Sequence, residues 1–172
     1  MKTKDLVFMA LLVGLGAILH LTVPGIYLGM KPDFSLIMLF IGILLFPEKK
    51  HVLLLSLATG IISGMTTSFP NGFFPNFIEK PITGFIFFGL FLLFKKKGTP
   101  LVNGLLTAVG TIVSGLAFLS LAMLLVGLPG PFVSLFGTVV LLTTAFNTVA
   151  VLIIEPLVKT IGKRSNLITL AD

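Results

Sequence analysis

The chain has 172 residues, 56% apolar and 10% charged, with a net charge of +6 and no cysteine. A soluble domain carries about 25% charged residues, and one of about 150 residues still leaves roughly 30% of its chain surface in water. The composition therefore excludes an ordinary soluble domain and places the surplus apolar surface in lipid. It also excludes disulfides, thiolate-bound zinc, iron–sulfur clusters and a thiol nucleophile.

Six apolar segments follow one another, at 6–23, 34–46, 52–69, 77–94, 101–128 and 132–161. The first follows Met1-Lys2-Thr3-Lys4 and runs on to Val23, which is the length of a spanning helix rather than of a cleaved leader. The second makes about 20 Å of helix against a hydrocarbon core of about 30 Å. It must either extend toward Lys31 and Lys49 or bury its outer end in protein. The fifth and sixth are long enough to tilt, or to give up their ends to Gly127-Leu128-Pro129-Gly130-Pro131. Together the segments predict one all-α membrane domain, 1–172, of six transmembrane helices.

The basic residues fall in short clusters between the apolar runs, so they read as topology signals and not as a nucleic-acid surface. With the N-terminus inside, Lys2, Lys4, Lys49, Lys50, Lys95, Lys96, Lys97, Lys159, Lys163 and Arg164 all lie on the inner side. The outer loops keep only Lys31 and Lys80. This asymmetry predicts an even number of spans with both termini cytoplasmic.

The third and fifth segments echo each other, Thr59-Gly60-Ile61-Ile62-Ser63-Gly64 against Gly110-Thr111-Ile112-Val113-Ser114-Gly115. Small residues let helices approach closely in lipid, so the echo reads as packing. Ala10 and Gly14 form a small-xxx-small strip on the first segment, a surface for contact with another helix or a partner.

Enzyme signatures are missing. There is no G-x-x-x-x-G-K-[ST] phosphate loop and no H-E-x-x-H, and neither a cofactor nor a metal is expected. His20 and His51 fall on opposite sides of the membrane. His51 reads as an interfacial residue beside Lys50, and His20 as a hydrogen-bonded packing residue near the outer end of the first span.

The chemistry gathers in two outer connections, 27–33 and 69–81, each with an acid, a base and aromatic residues. An amino acid offers a carboxylate and an ammonium, and so needs a cation, an anion and a side-chain pocket. Lys31 or Lys80 would take the carboxylate and Asp33 or Glu79 the ammonium. Asn76 or Asn147 would meet a ring nitrogen of an aromatic ligand, with Phe73, Phe74 or Phe77 against the ring. Each also has a purely structural reading. Asp33 would cap the second helix, and Asn76 with Glu79 would form a capping box. Lys31 would snorkel, Lys80 would pair locally with Glu79, and Asn147 would hydrogen-bond between helices. Glu155 would pair with Lys159 at i,i+4.

The stretches Gly29-Met30-Lys31-Pro32-Asp33 and Pro75-Asn76 with Glu79-Lys80-Pro81 are specific. With Met1-Lys2-Thr3-Lys4-Asp5-Leu6-Val7, Gly42-Ile43-Leu44-Leu45-Phe46-Pro47 and Val126-Gly127-Leu128-Pro129-Gly130, they make the chain resemble the tryptophan transporter family TrpP. That family is grouped with the S components of energy-coupling factor (ECF) transporters. The resemblance implies a six-helix fold whose outward pocket, for tryptophan, is roofed by the loop between the first two helices. It also implies docking of the first helix, at Ala10 and Gly14, on a coupling subunit that works with two ATPase subunits. Gly14 departs from the alanine usual at its position. Other readings are a membrane assembly protein without a solute of its own and a transporter of another nutrient, such as a vitamin. A small membrane hydrolase is disfavoured, since no catalytic constellation converges on one leaflet.

Overall fold

A computed structural model describes residues 2–25, 27–28, 31–94 and 99–164, with no statement on the Lys163 side chain. Lys95, Lys96, Lys97, Gly29 and Met30, used above for orientation and resemblance, lie outside the described residues. The described chain is helical: α1 Thr3–Thr22, α2 Ser35–Leu45, α3 Lys49–Thr66, α4 Phe73–Phe94, α5 Pro100–Leu125, α6 Phe132–Leu135 and α7 Leu141–Arg164. A π-helical turn, Phe136–Val140, joins α6 to α7, so that they form one continuous segment.

Among the described residues, four helical segments are long and apolar enough to cross a membrane: Thr3–Thr22, Phe73–Phe94, Pro100–Leu125 and Phe132–Gly162. The short second segment resolves differently from a lipid-facing span. All eleven residues of α2 are buried, and it packs on α1, α3, α4 and α7. A helix apolar all round is a core helix, and at about 16 Å it needs no lipid to cover it. Its Phe40 stacks on Phe87 of α4 with ring centroids 4.1 Å apart.

The bundle is apolar outside, and it encloses polar side chains beside its apolar core. Val133, Leu93 and Leu124 are 81%, 77% and 77% exposed, whereas Ser56, Ser63, Lys80, Thr83, Thr107 and Asn147 are buried. Water would penalise that distribution and lipid favours it. The echoed glycines do pack. A Cβ on Gly60 would lie 3.1 Å from the Phe77 carbonyl of α4. That carbonyl loses its helical donor because Pro81 has no N–H. Gly115 lets Val140 of the π turn come too close for any side chain.

Helix ends differ from expectation where polar residues join helices. α3 begins at Lys49, and α4 begins at Phe73 with Pro75 in its first turn, where a missing N–H costs nothing. Thr99 caps α5, accepting from Val102 N–H at 3.3 Å with Pro100 next. Gly127 closes α5 with φ +90°, its N–H on the Ala122 carbonyl at 2.9 Å.

Candidate functional site

The C-terminal ends of α1 and α3 and the N-terminal end of α4, with the connection before α2, converge on one carboxylate. Asp33 Oδ1 accepts from Ser35 N–H at 3.0 Å and from its hydroxyl at 2.5 Å, and lies 3.2 Å from His20 Nδ1. Asp33 Oδ2 lies 2.6 Å from Lys80 Nζ and 3.1 Å from Ser63 Oγ. Lys80, wholly buried, also pairs with Glu79. The other Glu79 oxygen accepts from Thr83 at 2.9 Å and Ser114 at 3.0 Å. Ser63 Oγ is also 3.0 Å from Asn76 Oδ1, and its single proton serves one acceptor at a time.

These bonds revise several expectations. Asp33 does accept the first amide of α2, so capping and charge pairing coexist. Asn76 and Glu79 form no capping box, because α4 starts at Phe73. The Asn76 amide instead donates to the Gly72 carbonyl at 2.8 Å. Lys31 does not simply reach outward, since its ammonium donates to the His20 carbonyl at 2.6 Å. His20 faces the acid rather than serving packing alone. His51 is buried rather than interfacial, 3.6 Å from Glu48, 4.0 Å from Asp5 and edge-on to Phe46.

Charge settles the state of the acid. Burial pushes the Asp33 carboxyl up, but Lys80 and then His20 outweigh it and hold the carboxyl well below the usual carboxylate range. Lys31 is lowered by burial against the pull of Asp33. Two basic side chains, Lys31 and Lys80, thus face two acidic ones, Asp33 and Glu79.

A cavity of about 70 Å³ opens beside this cluster. Of the sequence-derived candidates, Lys31, Asp33, Asn76 and Glu79 line it. Lys80 lies directly behind Asp33. Asn147, fully buried, stands one step below, its amide 3.4 Å from the lining Thr111 hydroxyl and its Oδ1 without a protein donor. Phe73, Phe74 and Phe77 are not brought to the cavity. Phe73 stacks on Phe77 at 6.0 Å, and Phe73 and Phe74 line a separate outer groove. The lining rings are Phe69 and Phe118, edge-to-face at 5.4 Å.

The sequence reading missed His20, Phe69, Phe118, Thr111 and Ser114 as lining residues. The echo held a signal for part of this, since Ser63 and Ser114 occupy equivalent positions and each reaches an outer carboxylate.

Ala10 and Gly14 are exposed on α1, and a Cβ on Gly14 would touch nothing. It is Gly16 that makes the close contact with α2, 3.2 Å to Met38 Cβ.

No solved structure matches the chain. It is 53% identical over 166 residues to a probable tryptophan transport protein of Bacillus subtilis, covering 96% of each chain. The probable tryptophan transport proteins of Clostridium acetobutylicum and Clostridium perfringens are 40% and 38% identical, covering 92% and 97% of this chain and 94% and 97% of theirs. The family model described as tryptophan transporter TrpP matches residues 2–163. The chain is thus a multi-pass membrane protein that belongs to the tryptophan transporter family TrpP, a family of transporters and not of enzymes.

Proposed function

We propose that this chain binds tryptophan in the outer cavity and carries it inward as a substrate-binding subunit of the S-component type. In this reading one membrane domain has six membrane-embedded helical segments with both ends cytoplasmic. The observation that carries it is the cluster at the cavity, where two basic and two acidic side chains stand beside two aromatic rings. A zwitterion matches it without adding net charge to lipid depth, where an unbalanced charge is costly.

The geometry also favours particular partners. Lys80 already holds Asp33 and Glu79, whereas the Lys31 ammonium donates to a backbone carbonyl. Lys31 is therefore the cation for the ligand carboxylate. Asp33, at 18% exposure against 1% for Glu79, is the anion for its ammonium. Phe69 and Phe118 flank the ring, and the free Asn147 Oδ1 is the acceptor for the indole N–H. Exposed Ala10 and Gly14 suit docking on a coupling subunit with two ATPase subunits, which would supply the energy that a chain without a phosphate loop lacks.

Thermal shift in detergent against the twenty amino acids tests the substrate, and we expect stabilisation by tryptophan. Lys31→Gln and Asp33→Asn should each weaken it at least about thirtyfold, because losing one partner of a buried charge pair costs about 2–5 kcal/mol. Asn147→Leu should weaken tryptophan while sparing a ring-N-methylated analogue. No stabilisation by any amino acid would sink the reading and leave an assembly role. Stabilisation by a vitamin instead would move the substrate class.

A further inference from the structure

The opposite end of the bundle holds a second buried acid that the outer site does not use. Glu155 of α7 is 2% exposed and Asn103 of α5 is 4% exposed. The Asn103 amide donates to Glu155 Oε1 at 2.7 Å, and Lys159 Nζ lies 2.5 Å from the same oxygen. Both Glu155 Oε2 and Asn103 Oδ1 are buried and accept nothing from the protein. A buried acceptor without a donor is destabilising, and here two sit in one pair.

Turning the amide over does not help an ionised Glu155, since it would set two acceptors against each other. Adding one proton does. We infer that Glu155 is a proton-binding site, in which a proton from the inner aqueous phase attaches to Oε2 and is donated to Asn103 Oδ1. The Asn103 amide keeps its bond to Oε1, so acid and amide close a ring of two hydrogen bonds and both orphaned acceptors are satisfied. The new O–H is the one covalent bond that forms, and no covalent bond of the protein breaks. Lys159, with a side chain 35% exposed, exchanges its ion pair for water.

Local sequence prepares the pair. Gly104, beside Asn103, lets α5 approach α7 so closely that a Cβ there would lie 2.9 Å from Leu152 Cδ2. Pro156, beside Glu155, withholds the N–H that would bond the Leu152 carbonyl and loosens the helix at this turn. Of the elements packed against α7, α2, α5 and the π turn carry no ionisable side chain. Among the described residues the charged group facing Glu155 is Lys159. The same two helical segments wall the outer cavity through Thr111, Ser114 and Phe118, and through Val139, Val140 and Thr143. Protonation therefore tightens the α5–α7 contact that continues to the cavity.

The test is infrared difference spectroscopy of the whole protein in lipid as pH is lowered. We expect a carboxylic acid carbonyl band that is missing in Glu155→Gln and moves to higher frequency in Asn103→Leu, where the acid loses both hydrogen bonds. A spectrum shared by wild type and Glu155→Gln would overturn the assignment. So would a band left in place by Asn103→Leu, a reading that stands even if Glu155→Gln does not fold. Replacing potassium by sodium should leave the band unchanged, and its loss in sodium would give these oxygens to a metal ion instead. Tryptophan binding is measured separately by thermal shift, so failure of the outer-site reading and failure of this one are told apart.

Discussion

The two ends of this bundle bury the same kinds of side chain and leave them in different states. At the cavity end each carboxylate oxygen of Asp33 and Glu79 meets a donor, from Ser35, Lys80, Ser63, Thr83 or Ser114. At the opposite end Glu155 has donors on one oxygen and none on the other. A saturated acid is held ionised and exchanges partners only for a ligand that replaces them. An unsaturated one has room for a proton. Burial alone does not distinguish the two; the inventory of donors does.

The hardest way to break the comparison is to remove the outer cation. Lys80→Met leaves Asp33 and Glu79 buried together without their shared partner. It should cost about 3–5 kcal/mol of stability, the usual penalty for stranding a buried charge. Adding Glu79→Gln should recover part of this, because one of the two stranded charges is then gone. Thermal or denaturant unfolding in detergent reads both variants. If the single variant is as stable as wild type, the outer cluster is not the tightly paired network described.

A steric change separates the cavity from the charges. In Gly115→Val the new side chain meets Val140 at the cavity wall, where no room exists. Overpacking of this kind costs about 1–3 kcal/mol. Lowered stability with weakened tryptophan binding is expected, and the companion Gly14→Val on the open face of α1 should leave both unchanged.

A pH series sharpens the contrast at lower amplitude. Because the Asp33 carboxyl is depressed in the folded protein, its contribution is fully present above the ordinary carboxylate value. It is lost only as pH falls through the lower, folded value. Tryptophan affinity at the outer site should therefore stay flat from pH 8 down to about pH 5 in a Glu155→Gln background, since ordinary carboxylates titrate near about 4. A step within that range would mean that a group other than Asp33 controls the site.

Much of the architecture was legible because lipid imposes simple rules. Apolar length marked the helices, and the pairing of Glu155 with Lys159 followed from helical spacing. What stayed hidden required knowing which helix lies inside. α2 reads like a short span, yet its burial makes it a core that other helices surround. His20 reads as a packing residue until the chain returns at Asp33. Ser63 and Ser114 read as packing until two acids from elsewhere in the chain meet them. Asn103 is far from Glu155 in sequence, so no local pattern announces that pair.

The aromatic residues give the finest test, because sequence and structure choose different rings. Phe73, Phe74 and Phe77 crowd the connection that carries the charges, and proximity in sequence recommends them. Helical geometry turns them elsewhere: α4 begins at Phe73, so Asn76, Glu79 and Lys80 share the inward face while Phe74 is 64% exposed. Phe118 reaches the cavity from the middle of α5, where it meets Phe69 edge-on. An aromatic contact is worth about 0.5–1.5 kcal/mol beyond area. Phe118→Ala should then weaken tryptophan binding about three- to tenfold, and Phe74→Ala should change it less than about twofold. Titration of both variants by intrinsic ligand fluorescence decides the matter, since the chain has no tryptophan of its own. The reverse order would mean that the ligand sits in the outer groove against Phe73 and Phe74 and not in the cavity that the charges frame.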